Sequence, residues 1–166
     1  KIVKSTDNGS TFSAVTPPIT TGINGVTFGN NTFVAVGVSG NIVRSTDNGT
    51  SWDNATDPVS GTIWGVGFGN NTFVGVGVSG KIMRSTDNGS SWDNATSNTS
   101  NLLNGVTFGN NAFVAVGASV NILRSTDNGS SFDNVTSGTG SNLEDVTFGN
   151  NTFVAVGFSG SIVRST

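Results

Sequence analysis

The chain has 166 residues, no Cys, no His and a net charge of −3, with only seven Lys plus Arg. A chain of this length buries roughly two-thirds of its unfolded surface as one domain and needs no disulfide or metal to do so. The composition excludes thiolate and imidazole chemistry and the commonest zinc sites, and so few cations argue against a nucleic-acid surface.

In chain order, residues 1–6 read as a short strand with neither an initiator Met nor an apolar signal core before it, and no later stretch is apolar enough to insert in a membrane. The chain is therefore expected to be a mature fragment or an excerpt of something longer. A turn at Asp7-Asn8-Gly9 leads into a second strand at 11–16. From there a unit of four strands repeats, first as 25–28, 32–38, 41–45 and 51–55. These strands are separated by Gly29-Asn30-Asn31, Ser39-Gly40 and Asp47-Asn48-Gly49. No window carries a helical period.

Repetition is the strongest signal. Units 24–63 and 64–103 share 28 of 40 positions, and 104–143 and 144–166 continue in register. Recent duplication and deliberate symmetrisation of an engineered chain would both produce this. The units differ most in 57–63, 97–103 and 137–143, where recognition by only some units would reside.

The strand Phe33-Val34-Ala35-Val36-Gly37-Val38 is apolar at consecutive positions, so both its faces must be covered. A four-stranded antiparallel sheet covered on both sides by copies of itself is a blade, and an all-β, β-propeller fold with blades of about 40 residues is expected. Small residues at Ala35, Gly37, Gly75, Gly77, Ala115 and Gly117 suit the tapered region near a central channel. Residues 1–166 then form a single domain of four blades plus one strand. Its closing blade joins 144–166 to 1–23 through the strand at 11–16. Because 1–6 and 161–166 are the same strand of the unit, one of them is redundant, and pairing between molecules through these segments is an alternative.

The recurring Ser-x-Asp-x-Gly-x-Ser/Thr-Trp/Phe segment resembles the Asp-box, or bacterial neuraminidase repeat, of sialidase-type propellers. Its residues here are Asp7, Gly9 and Phe12; Asp47, Gly49 and Trp52; Asp87, Gly89 and Trp92; and Asp127, Gly129 and Phe132. The surrounding repeat is also similar to those of photosystem-assembly propellers. Physically, the Asp accepts backbone amides in a tight hairpin, Gly supplies the positive φ and the aromatic packs into the blade. Calcium held by Asp-Asn-Gly and Asp53 is the rival reading, at a spacing that misses the EF-hand pattern. No metal or cofactor is expected.

Sialidase activity, which the resemblance would imply, needs a Tyr with a Glu, and this chain has no Tyr. It also needs three non-equivalent Arg, whereas Arg44, Arg84, Arg124 and Arg164 fill one slot of the repeat. In an Asn48-Gly49 hairpin Arg44 lies opposite Asp53, and cross-strand ion pairs Arg44–Asp53, Arg84–Asp93 and Arg124–Asp133 are expected, worth about 0.2–1 kcal/mol each. Setting aside these and the turn aspartates leaves Asp57, Glu144 and Asp145, the last two pointing to opposite faces of a strand. That is a poor basis for a pair of catalytic carboxyls, and no enzyme activity is expected.

Recognition or structure remains. A lectin-like or adhesive module would use Trp64, which replaces the Asn of positions 24 and 104, with polar groups of the variable segments: Asp57, Asn98, Asn101, Glu144 and Asp145. The alternative for Trp64 is simple packing at a blade start. A structural subunit of a filament, surface layer or virion appendage would instead use the terminal strands. An engineered symmetric propeller would need no ligand. Eleven Asn-x-Ser/Thr acceptors occur, including Asn30, Asn54, Asn70, Asn94, Asn134 and Asn150, which fits an extracellular glycoprotein or equally the turn preference of Asn. The expected function is a non-catalytic, secreted or surface-exposed scaffold that binds glycan or protein.

Overall fold

A computed structural model describes residues 1–55 and 60–165. The N-terminal hairpin is β1 (Ile2–Lys4) and β2 (Ser13–Val15). The first four-stranded sheet is β3 (Ile23–Gly29), β4 (Thr32–Gly37), β5 (Ile42–Ser45) and β6 (Asp53–Asn54). The second is β7 (Ile63–Gly69), β8 (Thr72–Gly77), β9 (Ile82–Ser85) and β10 (Asp93–Asn94). After β11 (Thr96–Ser97) comes the third, β12 (Leu103–Gly109), β13 (Ala112–Gly117), β14 (Ile122–Ser125) and β15 (Ser131–Val135). The last sheet is β16 (Leu143–Gly149), β17 (Thr152–Gly157) and β18 (Ile162–Arg164).

Consecutive strands within each sheet pair antiparallel. The turn between the first two strands of the first sheet needs left-handed residues, and Asn30 (φ 46°) and Asn31 (φ 56°) provide them. A bulge shifts register between Ile23 and Gly25, and again between Leu143 and Asp145. The parallel pairing of β11 with β15, which carries the chain leaving the second sheet to the outer edge of the third, is not visible in the sequence pattern.

The apolar runs of β4, β8 and β13 are covered on both faces by neighbouring sheets, whereas β17 stays partly exposed. Val34, Val36 and Ile42 pack on Ile63, Phe73, Met83 and Trp92 of the second sheet. Val74, Val76 and Ile82 pack in the same way on Leu103, Phe113, Leu123 and Phe132 of the third. Alternate residues Ala35 and Val43, with Trp52, face back onto Ile2 and Val15 of the hairpin. Full burial of each such side chain stabilises by about 1.5–3 kcal/mol, so these interfaces hold the sheets together. At Gly37 a local approach requires the small residue, since a Cβ there would lie 2.0 Å from the carbonyl oxygen of Gly22.

The terminal strands pair differently from the expected closing blade. Ser13–Val15 runs against Ile2–Lys4, with Lys4 opposite Ser13, while β18 is bound only to β17 among the described strands. Closing a hairpin across one short loop costs far less chain entropy than bringing together strands near opposite ends of the chain.

Candidate functional site

The four aspartate loops share one geometry. In the first sheet's loop Asn48 (φ 57°) and Gly49 (φ 76°) are both left-handed, and the Thr50 N–H donates to the Asp47 carbonyl at 3.3 Å, closing a two-residue hairpin turn. Asp47 Oδ1 accepts the Ser51 N–H (2.9 Å) and the Ser45 hydroxyl (2.8 Å), and Oδ2 accepts the Ser51 hydroxyl (2.6 Å). The Ser45 Oγ in turn accepts the Gly49 N–H at 2.8 Å, and the Trp52 Nε1–H donates to the Gly49 carbonyl at 3.3 Å. Asp87, Asp127 and Asp7 repeat the carboxylate bonds with Ser91, Ser131 and Thr11.

These donors favour the ionised carboxylate. The hydroxyls of Ser5 and Thr11 and the Thr11 N–H lower Asp7 to about 2. At Asp127 burial opposes the shift, but the Ser131 hydroxyl and N–H prevail and the group falls to about 2. Asp47 is lowered by the Ser51 hydroxyl, the Ser51 N–H and the Ser45 hydroxyl. Asp87 is lowered as well, burial opposing and the Ser91 N–H and hydroxyl prevailing. Both oxygens of each carboxylate face donors of their own loop, and among the described residues no three acidic side chains gather as a metal site would require.

Lys4, Arg44 and Arg84 bind across sheets, which corrects the ion pairs expected of Arg44 and Arg84. Arg44 does stand opposite Asp53 and Arg84 opposite Asp93 in the ladder. Their guanidinium groups, however, reach the loop of the following sheet. Arg44 Nη1 donates to the Asn88 carbonyl at 3.1 Å and to the Ser90 hydroxyl, and Arg84 Nε donates to the Asn128 carbonyl at 2.9 Å. Lys4 makes the equivalent bonds from the hairpin to the Asn48 carbonyl (3.4 Å) and Thr50 Oγ1 (2.8 Å). The long side chains thus take a carbonyl and a hydroxyl of the neighbouring loop in place of an exposed carboxylate, whose pairing in water is worth little.

The candidate recognition residues divide into two groups. β3, β7, β12 and β16 lie side by side in series, and the slot after the first residue of each holds Asn24, Trp64, Asn104 and Glu144. Asn24 Nδ2 donates to the Ile63 carbonyl and Asn104 Nδ2 to the Leu143 carbonyl, each at 2.9 Å. Trp64 cannot make that bond, and its side chain is 43% exposed between these two anchors. Glu144 and Asp145 are both exposed, and Asp145 Oδ1 accepts the Val146 N–H at 2.8 Å. The bulge at Leu143/Asp145 interrupts the simple alternation expected of this pair.

Asn98 belongs elsewhere, donating to the Phe132 carbonyl (3.3 Å) and Asp133 Oδ1 (3.1 Å) at the outer edge of the third sheet. Asn101 is partly buried in the segment leading into β12, and Asp57 lies outside the described residues. The structure therefore brings Trp64, Glu144 and Asp145 onto one series of strands and separates Asn98 from them. The roles of Asn24 and Asn104 escaped sequence reading, although their position one repeat either side of Trp64 was the available signal. The glycosylation acceptors Asn30, Asn54, Asn70, Asn94, Asn134 and Asn150 are all exposed, and the amides of Asn30, Asn70 and Asn134 donate to Asn88 Oδ1 (3.2 Å), Asn128 Oδ1 (3.1 Å) and the Asn98 carbonyl (3.5 Å).

No protein-family model matches the chain, and no curated protein matches it. Solved structures are similar in fold. The computationally designed Ika4 protein superposes with a TM-score of 0.73 at 15% identity, over 91% of this chain and 95% of its own. A structure of YCF48 bound to D1 peptide gives 0.70 at 20% identity, over 92% of this chain and 54% of its own. The GH74 enzyme of Niastella koreensis gives 0.65 at 24% identity, over 91% of this chain and 24% of its own. This chain thus spans about half of the YCF48 structure and a quarter of the GH74 enzyme. It is an all-β chain of successive antiparallel sheets, similar in fold to β-propellers.

Proposed function

We propose that the chain is a non-catalytic Asp-box propeller repeat, each sheet a blade, which acts outside the cell as a scaffold for carbohydrate or partner recognition. The Asp-box assignment is supported by four loops with one hydrogen-bond pattern at a spacing of one repeat. The non-catalytic reading is supported by the lack of any Tyr and by the four turn aspartates, whose carboxylates are already engaged by their own loops. A hydrolytic acid or base would need a free group with its pKa moved toward neutrality, whereas these are moved the other way.

The observation that carries recognition is the exposed indole of Trp64 flanked by Asn24, Asn104 and, one strand further, Glu144. An aromatic face with amides and a carboxylate beside it can stack on the apolar face of a sugar ring while the polar groups take its hydroxyls. Trp52 and Trp92 are buried and unavailable for this. A glycan array probed with the chain and with Trp64→Ala tests the reading. Binding that the substitution removes is expected. Binding unaffected by it would move recognition away from this row, and an empty array would end the carbohydrate reading.

A further inference from the structure

The row that holds Trp64 offers hydrogen-bond acceptors and carries no cation. All seven Lys and Arg lie on the third strand of a unit or directly before it, whereas the row belongs to the first strands. Asn24 and Asn104 each spend an amide hydrogen on the following strand, and among the described residues no donor reaches the Oδ1 of either. Trp64 fills their slot and gives the Leu103 carbonyl no such amide.

Two carboxylates join these acceptors. Glu144 fills the same slot on β16, and no described residue pairs with it. Asp145 stands where the other units have Gly25, Gly65 and Gly105. Its Oδ1 accepts the Val146 N–H at 2.8 Å and lies 3.0 Å from where a Cβ on Gly105 would be, so the carboxylate sits in the seam between β16 and β12. At the same level β12 meets β7. A Cβ on Gly65, next to Trp64, would lie 2.7 Å from the Asn104 carbonyl oxygen and 3.1 Å from the Gly105 Cα. The absence of side chains at 65 and 105 thus lets these strands close up, with an exposed indole on one side of Asn104 and a carboxylate on the other. Both seams are internal to the chain.

We infer that, given the carbohydrate reading proposed above, on which this rests, the Trp64 row takes an amino sugar whose amine is free and protonated. The indole stacks on the apolar face of the ring, and a cation near an indole is drawn to its negative face. An ammonium group has three donors and no acceptor, which suits a row of acceptors. Asp145 and the Asn104 Oδ1 receive it while Glu144 adds negative potential, and charge-assisted bonds of this kind are about twice as strong as neutral ones. A sugar acid would meet these carboxylates with like charge and no cation of the row to answer it.

Three oligomers of one linkage and length, built of glucosamine, N-acetylglucosamine or glucose, differ only in an ammonium, an acetamide or a hydroxyl. Titrated calorimetrically into the 166-residue chain while the amine is protonated, the glucosamine oligomer should bind about tenfold more tightly than the other two. The preference should vanish at a pH that deprotonates the amine. Asp145→Asn combined with Glu144→Gln should bring the glucosamine oligomer to the level of the glucose oligomer and leave the latter unchanged. Trp64→Ala should weaken all three. An acidic chain attracts any polyamine, so Asp53→Asn combined with Asp93→Asn removes the same charge from the exposed outer strands and should keep the preference.

A preference that survives Asp145→Asn with Glu144→Gln, or that falls equally with the outer pair, would overturn the assignment of the amine to this row. Equal binding of the three oligomers, lost with Trp64→Ala, would overturn the amine and leave carbohydrate recognition at Trp64 standing. Binding of none of them would overturn the amine as well, and the glycan array then decides the wider reading.

Discussion

The second and third sheets differ from the last sheet far less in sequence than in burial. Phe73 and Phe113 are wholly buried and Ile82 nearly so, while Phe153 is half-buried and Ile162 largely exposed, all in matching slots of the repeat. The hairpin makes the same point from the other end, where Phe12 lies in solvent and Trp92 lies in a core. Burial here belongs to the interface between sheets, not to a residue type. A repeat has an apolar face only half satisfied by its own strands and relies on the next one for the rest.

Truncating the aromatic of the second strand should sharpen that contrast most. Phe73→Ala removes a side chain enclosed by two sheets and is expected to cost about 3–5 kcal/mol in a urea titration. Phe153→Ala, whose ring already borders a cleft, should cost less than half as much. Equal losses would mean that the last interface is as well packed as the inner ones.

Acid should act on all the aspartate loops together, with a smaller effect at each. Their folded pKa values lie below the ordinary carboxylate value, so the unfolded chain takes up protons first as pH falls. The stabilisation is present in full above about pH 5 and is lost from about pH 4 down through about pH 2. With no His in the chain, the urea midpoint should be level from about pH 8 to about pH 5 and then fall. Asp127→Asn should lower the midpoint at neutral pH and flatten the acid slope. A transition centred near neutrality would contradict the loop geometry.

The inter-sheet cations offer the finest comparison. Arg84→Met removes the bond to the Asn128 carbonyl and should cost about 0.5–1.5 kcal/mol. Arg124→Met, at the equivalent but exposed position beside the cleft of the last sheet, should leave the midpoint almost unchanged. A similar cost at both positions would show that the arginines act within their own sheets, as cross-strand register alone suggests.

Much of the architecture was legible before any coordinates. Asn30-Asn31 and Asn48-Gly49 turned where their left-handed preferences required, and the position of Arg44 opposite Asp53 followed from the turn length. The partner of the Arg44 side chain was not legible, because a long flexible cation can reach a carbonyl on the neighbouring sheet. The candidate site was legible only in part. Trp64 stood out as a break in the repeat, but the amide ladder it interrupts, from Asn24 and Asn104 to the next strand, connects residues 39 apart and leaves no local pattern. Asn98 shared the composition of a recognition loop and was instead tied to β15.

The amino-acid sequence by itself determined the period, most of the strands, the turns and the register across the aspartate hairpins, since backbone preference and side-chain alternation act over a few neighbouring residues. Only the tertiary structure decided which copy of each repeated residue is enclosed and which is exposed, and with which strand β2 pairs. Those outcomes depend on what covers a face, and the covering group comes from a different unit of the chain.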